Sequence, residues 1–158
     1  MKNNLETLLA IADLQNAYVQ AIDNDQLEQW PSFFVDRCLY KVIPRENHDE
    51  NLPAAIVMCD SKGMLEDRVV SLREANIYNL HFTRHIISLP RIVEISEDSI
   101  KTETSYAIFQ TQMDGDTSVF QVGRYLDTIV DNGGELKFRE KVCVFDTYRV
   151  HRLLSTPI

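Results

Sequence analysis

The chain has 158 residues, 44% hydrophobic and 25% charged, with a net charge of −8. That length suits one domain able to bury roughly 68–70% of its extended chain's surface, and the balance is that of a globular protein, not a disordered or fibrous one. The charge, with no local Lys/Arg run, excludes a phosphate backbone as a natural partner, and no apolar stretch approaches the roughly 20 residues of a membrane helix.

The N-terminal "MKNNLETLLAIADLQ" carries acids where a signal peptide would be unbroken and greasy, so a cytoplasmic location is expected. Within it the first helix begins. Leu8, Ile11, Leu14, Tyr18 and Ile22 recur at steps of three and four, an apolar stripe of about four turns. "DQLE" then predicts a capping box, with Asp25 as cap and Glu28 returning the bond, opening a short second helix whose buried face is Leu27, Trp30, Phe33 and Phe34 and which Pro31 ends or kinks.

Strands are expected through "CLYKVIP" and "AAIVMC", separated by the charged loop "RENHDEN". Asp60 or Ser61 caps a third helix, in which Leu65, Val69, Leu72 and Asn76 share a face. "TRHIISLPRIVEI" supplies a further strand, with Pro90 at a bulge or edge. Three long segments follow: "IKTETSYAIFQTQM", "TSVFQVGRYLDTIV" and "ELKFREKVCVFDTY". They are joined by "DGD" and "DNGG", the turn chemistry of antiparallel hairpins. The last alternates Leu136, Phe138, Val142, Val144 and Tyr148 against Lys137, Arg139 and Lys141. Gly123 suggests a sharp bend. With no repeat or linker, one domain over 1–158 is expected. Its fold class is α+β, a mostly antiparallel curved sheet wrapped on three helices, the nuclear-transport-factor-2-like cone.

Chemistry-bearing residues are sparse. Cys38, Cys59 and Cys143 are scattered without a C-x-x-C and read as reduced, buried side chains. His81 and His85 are four apart. On a helix they would be about 6 Å apart and could share a metal; on a strand they lie about 13 Å apart, too far for one ion. "HFTRHIISL" is rich in β-branched and aromatic residues and favours strand. No Cys has a His two residues later, as a Rieske cluster requires, and there is no glycine-rich phosphate cradle or Ser-centred elbow. Asp23, Tyr40 and His85 could meet in a cone pocket as the acid–base set of a stand-alone dehydratase or isomerase. A cone-fold binding module is a third reading, with no residue pointing to its ligand.

The segments "WPSFF", "YKVIPRENHD", "MLEDR" and "RHI", in this order over about residues 8–148, resemble the small (beta) subunit of bacterial aromatic-ring-hydroxylating, Rieske non-haem iron oxygenases, in the branch acting on aromatic carboxylates such as salicylate, anthranilate, terephthalate or benzoate. The resemblance implies a structural chain, without catalytic, cofactor-binding or metal residues of its own. It implies assembly with a large alpha subunit as three of each, with beta–beta contacts. The alpha subunit would carry the Rieske 2Fe–2S cluster, the mononuclear Fe(II) and the substrate pocket, fed from NAD(P)H through a ferredoxin or reductase. For partner contact, Trp30, Arg45, His48, Asp49, Arg68 and Arg84 are the candidates, since planar cations, an aromatic ring and a mixed-charge loop suit an interface; Arg68 could instead pair along its helix.

Overall fold

The computed structural model describes residues 4–75, 80–146 and 154–158. Helix α1 (Asn4–Asp23) follows the expected stripe. Ile11, Tyr18 and Ile22 are buried together with Gln15, Val19 and Ala21, and Leu8 and Leu14 are half-buried.

The second helix departs from expectation. Leu27–Phe33 is a 3-10 helix with Pro31 inside it and Gln26 at its cap, making no side-chain bond. Asp25 adopts φ 57°, and the two carboxylates expected to cap the helix turn to Arg73 instead. The Arg73 guanidinium donates to both Asp25 oxygens at 2.9 Å and to Glu28 Oε1 at 2.7 Å. A bidentate guanidinium is a stronger partner for a carboxylate than a single backbone N–H, so a tertiary contact displaces the local one.

β1 (Phe34–Pro44) starts earlier than predicted and takes up Phe34. "RENHD" is a helical turn, α2 (Arg45–Asp49), rather than plain loop. β2 is short (Val57–Cys59). α3 (Lys62–Glu74) is capped by Ser61, whose hydroxyl accepts from Met64 N at 3.4 Å. Leu65, Val69 and Leu72 form its buried face; Asn76 and Tyr148 lie outside the described residues.

The remaining strands are β3 (His81–Ile87), β4 (Arg91–Ile95), β5 (Ile100–Gln112), β6 (Thr117–Asn132) and β7 (Glu135–Phe145). They complete a seven-stranded sheet in the order β2-β1-β7-β6-β5-β3, with β4 also on β5. The hairpins form as read, with positive φ at Gly115, Gly133 and Gly134, while β1 runs parallel to β7. The single strand expected across residues 83–95 is two. β3 pairs with Tyr106–Gln112 and β4 with the Ile100–Glu103 end of the same strand. Pro90, lacking an N–H, lies in the break.

Two sheet details govern what faces inward. Between Phe138 and Glu140 the β6–β7 register slips, so Arg139 is an extra residue and the alternation inverts after it. Lys141, expected on the solvent side, therefore points inward and is fully buried. Gly123 marks a close approach: a Cβ there would lie 2.2 Å from the Val144 carbonyl oxygen. The β5–β6 irregularity falls nearby, at Phe120 between Val119 and Gln121. The sheet's inner face closes on α1 through the rings of Tyr18, Phe34, Tyr125 and Phe138, packed edge to face or tilted at centroid distances of 5.5 to 6.3 Å.

Candidate functional site

His81 and His85 both lie on β3, which settles their spacing as that of a strand. Among the described residues, no group of three or more His, Cys, Asp and Glu side chains could hold a metal ion, so nothing here fits an iron or a cluster. Asp23 and His85 do meet. Asp23 Oδ1 lies 2.6 Å from His85 Nδ1 and accepts from Thr83 Oγ1 at 3.2 Å, and Oδ2 accepts from the His85 backbone N–H at 2.8 Å. Both side chains are almost fully buried, and His85 Nε2 has no hydrogen-bond partner. Tyr40 belongs elsewhere: its hydroxyl is 3.0 Å from Ile158 N, which donates to it. The structure thus unites two of the three residues of the acid–base set and bonds the third to another segment.

A different polar cluster occupies the core. Lys141 Nζ donates to Gln15 Oε1 at 2.9 Å and to Asp127 Oδ1 at 3.3 Å. It stands 3.8, 4.3 and 4.5 Å from the ring centres of Tyr125, Phe138 and Tyr18. Gln15 also bonds Asp127. Burial pushes the Asp127 carboxyl up and the Lys141 ammonium down, each opposed by the other's charge. A cleft of about 1220 Å³ opens elsewhere, beside the first turns of α1, lined by Thr7, Ala10, Ile95, Ile100, Ile129 and Leu136 among others; Asp23, Tyr40 and His85 do not reach it.

A further feature is the outer face of the sheet. Phe82, Arg84 and Ile86 point outward from β3, opposite Thr111, Phe109 and Ala107 of β5. The latter two stand opposite Val119 and Val122 of β6. Phe82 is 64%, Ile86 57% and Val119 59% exposed, a contiguous apolar area of the kind monomeric proteins rarely leave open. One register step further, Ser105 faces Arg124, and there an alternating row of charges begins. Arg91 reaches Glu103 at 3.6 Å, Glu103 reaches Arg124 at 3.5 Å, Arg124 reaches Asp49 at 4.0 Å, Asp49 reaches Arg45 at 3.7 Å and Arg45 reaches Asp146 at 3.3 Å.

Of the residues singled out from sequence, Arg45, His48 and Asp49 sit on α2 at this row, and Arg84 lies within the apolar area. Trp30 is a correction. It is fully buried, its Nε1 donating to Tyr18 Oη at 3.3 Å, because the 3-10 turn aims it into the aromatic core. Arg68 is half-buried, with its Nε buried and unbonded. Sequence reasoning missed Arg91, Glu103 and Arg124, whose joint placement depends on pairing register and leaves no local signal in the chain.

Residues 17–152 match the family model described as ring hydroxylating beta subunit. The chain belongs to that family. This beta subunit is 44% identical to the anthranilate 1,2-dioxygenase small subunit of Burkholderia cepacia, over all of the chain and 98% of the relative. It is 40% identical to subunit beta 2 of the terephthalate 1,2-dioxygenase terminal oxygenase component of a Comamonas species, over 95% of the chain and 97% of the relative. A crystal structure of a beta subunit assigned to an aromatic-ring-hydroxylating dioxygenase of Novosphingobium aromaticivorans superposes with a TM-score of 0.90 at 47% identity, covering 98% of each chain. Solved structures at 14 and 16% identity superpose with TM-scores of 0.70 and 0.74. They share the nuclear-transport-factor-2-like cone and nothing further. The beta subunit is therefore a component of a ring-hydroxylating oxygenase. No helix among its described residues is long and apolar enough to cross a membrane.

Proposed function

We propose that this beta subunit is the structural, metal-free member of a cytoplasmic terminal oxygenase that hydroxylates an aromatic carboxylic acid, and that its outer sheet face is where it is held in the assembly. Anthranilate and terephthalate, named in two relatives, share a carboxylate on an aromatic ring, which supports that substrate class. The large alpha subunit carries the Rieske cluster, the mononuclear iron and the substrate pocket, three of each chain assemble, and a ferredoxin or reductase brings electrons from NAD(P)H. Here the chain acts as one domain over residues 1–158.

The observation that carries this reading is the exposed apolar area of Phe82, Ile86, Val119 and Val122, bordered by the charge row through Arg45, Asp49 and Arg124. An apolar centre with a polar border is the anatomy of a protein interface, and an obligate one buries about 2,000 Å² or more. His48 and Arg84 join this surface. Trp30 acts from beneath as core, and Arg68 through its helix. The test is iron analysis and turnover of the purified chain alone: no stoichiometric iron and no oxidation of benzoate or anthranilate are expected, and either would overturn the proposal.

The Asp23–His85 contact favours a second reading, an acid–base enzyme in its own right. It requires turnover by the isolated chain that His85→Ala abolishes. Tyr40, bonded to Ile158, offers that reading no third group.

A further inference from the structure

The segment Leu154–Ile158 turns back into the core. Ser155 is 5% and Ile158 2% exposed, and Ile158 belongs to the central apolar cluster. Its main chain is held by a set of polar groups. Tyr18 Oη donates to the Ile158 oxygen at 2.7 Å, with Tyr40 Oη at 3.4 Å and Cys143 Sγ at 3.5 Å from the same atom. Ile158 N donates back to Tyr40. Trp30 Nε1 donates to Tyr18, so the donors form a chain ending on one acceptor. The Trp30 and Tyr40 rings meet edge to face 5.0 Å apart and wall the place. Arg68 lends positive charge, acting electrostatically on Tyr40, and its Nε is buried and unbonded.

We propose that this place is a latent binding site for a small aromatic carboxylate, occupied in the chain by its own segment 154–158, with Tyr18, Tyr40 and Cys143 as donors to the carboxylate and Trp30 as the wall for the ring. Two phenols and a thiol converging on one oxygen form an acceptor-binding site, and an aromatic wall favours a flat apolar body over a peptide. Burial pushes both phenols well above their ordinary value, so they stay protonated donors. The tethered segment competes at an effective concentration in the millimolar range. A free acid of modest affinity is therefore excluded until the segment's hold is weakened. The proposal is independent of the assembly with the large subunit.

Trp30 is the only tryptophan, so its fluorescence reports the site. In the full chain carrying Ile158→Gly, titration with benzoate is expected to change that fluorescence saturably, at least about tenfold more tightly than in the unsubstituted chain. Adding Tyr40→Phe should weaken binding at least about tenfold, the effect of one lost hydrogen bond to a charged acceptor. Toluene, of the same shape without the carboxylate, should bind more weakly than benzoate. A folded Ile158→Gly chain that does not respond, an equal response from the unsubstituted chain, or toluene binding as tightly as benzoate would each overturn the proposal. Where Ile158→Gly does not fold, Ile158→Ala read by thermal melting replaces it: benzoate raises Tm if the site exists, and an unmoved Tm overturns it.

Discussion

Lys141 and Asp127 form an ion pair with no exposure on either side chain. Such pairs contribute little net stability, yet losing one partner leaves an uncompensated buried charge. Lys141→Met alone is expected to lower unfolding free energy by about 3–5 kcal/mol, and Lys141→Met with Asp127→Leu to recover most of that loss; urea denaturation of both variants checks it. On the surface, hydrogen bonds from Arg73 hold the Glu28 carboxyl down at about 2. Its folded value lies below its ordinary 4.5, so the stability it contributes is complete above about pH 4.5 and is lost as pH falls toward 2. Glu28→Gln should flatten this acid limb in urea midpoints measured against pH, lowering the midpoint modestly at neutral pH and leaving it little changed near about pH 2. The Arg73 clamp was not legible in the sequence. Asp25 and Glu28 stand at capping-box spacing, and only the folded chain brings a guanidinium from 45 residues away to compete for them.

At the level of elements, α1 and the hairpins were readable because their signals are local: an apolar stripe in one, Gly at positive φ in the others. The Arg139 bulge was not, since one extra residue inverts the alternation without altering composition. The pairing of β1 with β7, distant in sequence, leaves no local mark either. Gly123 was legible as a special position but not as a point of backbone approach. Gly123→Ala puts a methyl 2.2 Å from a backbone oxygen that cannot move aside without parting β6 from β7. A loss of more than about 2 kcal/mol, seen as a lowered Tm, is expected. Asp23 ties the end of α1 to edge strand β3 by occupying the His85 N–H and Thr83 hydroxyl. Asp23→Ala should therefore raise hydrogen exchange at the His85 amide well above that of the paired β6 amides, because that outward N–H is held by this one carboxylate.

For the whole molecule, the beta subunit combines an aromatic interior with an outer face that is apolar at one end and laced with alternating charge at the other. Half of that face was legible: "RENHD" and Arg84 announced charge and planarity, whereas Trp30, equally at home in a core or an interface, went inward. The interface proposal depends on this face. The most direct test is size-exclusion chromatography of the beta subunit co-expressed with its large subunit, with and without Phe82→Asp and Ile86→Asp. Both side chains are more than half exposed, so the substituted chain should keep its Tm within a few degrees. The unsubstituted chain is expected to elute in one complex with the large subunit, while the folded double variant elutes alone. A double variant that still co-elutes at full stoichiometry would contradict it.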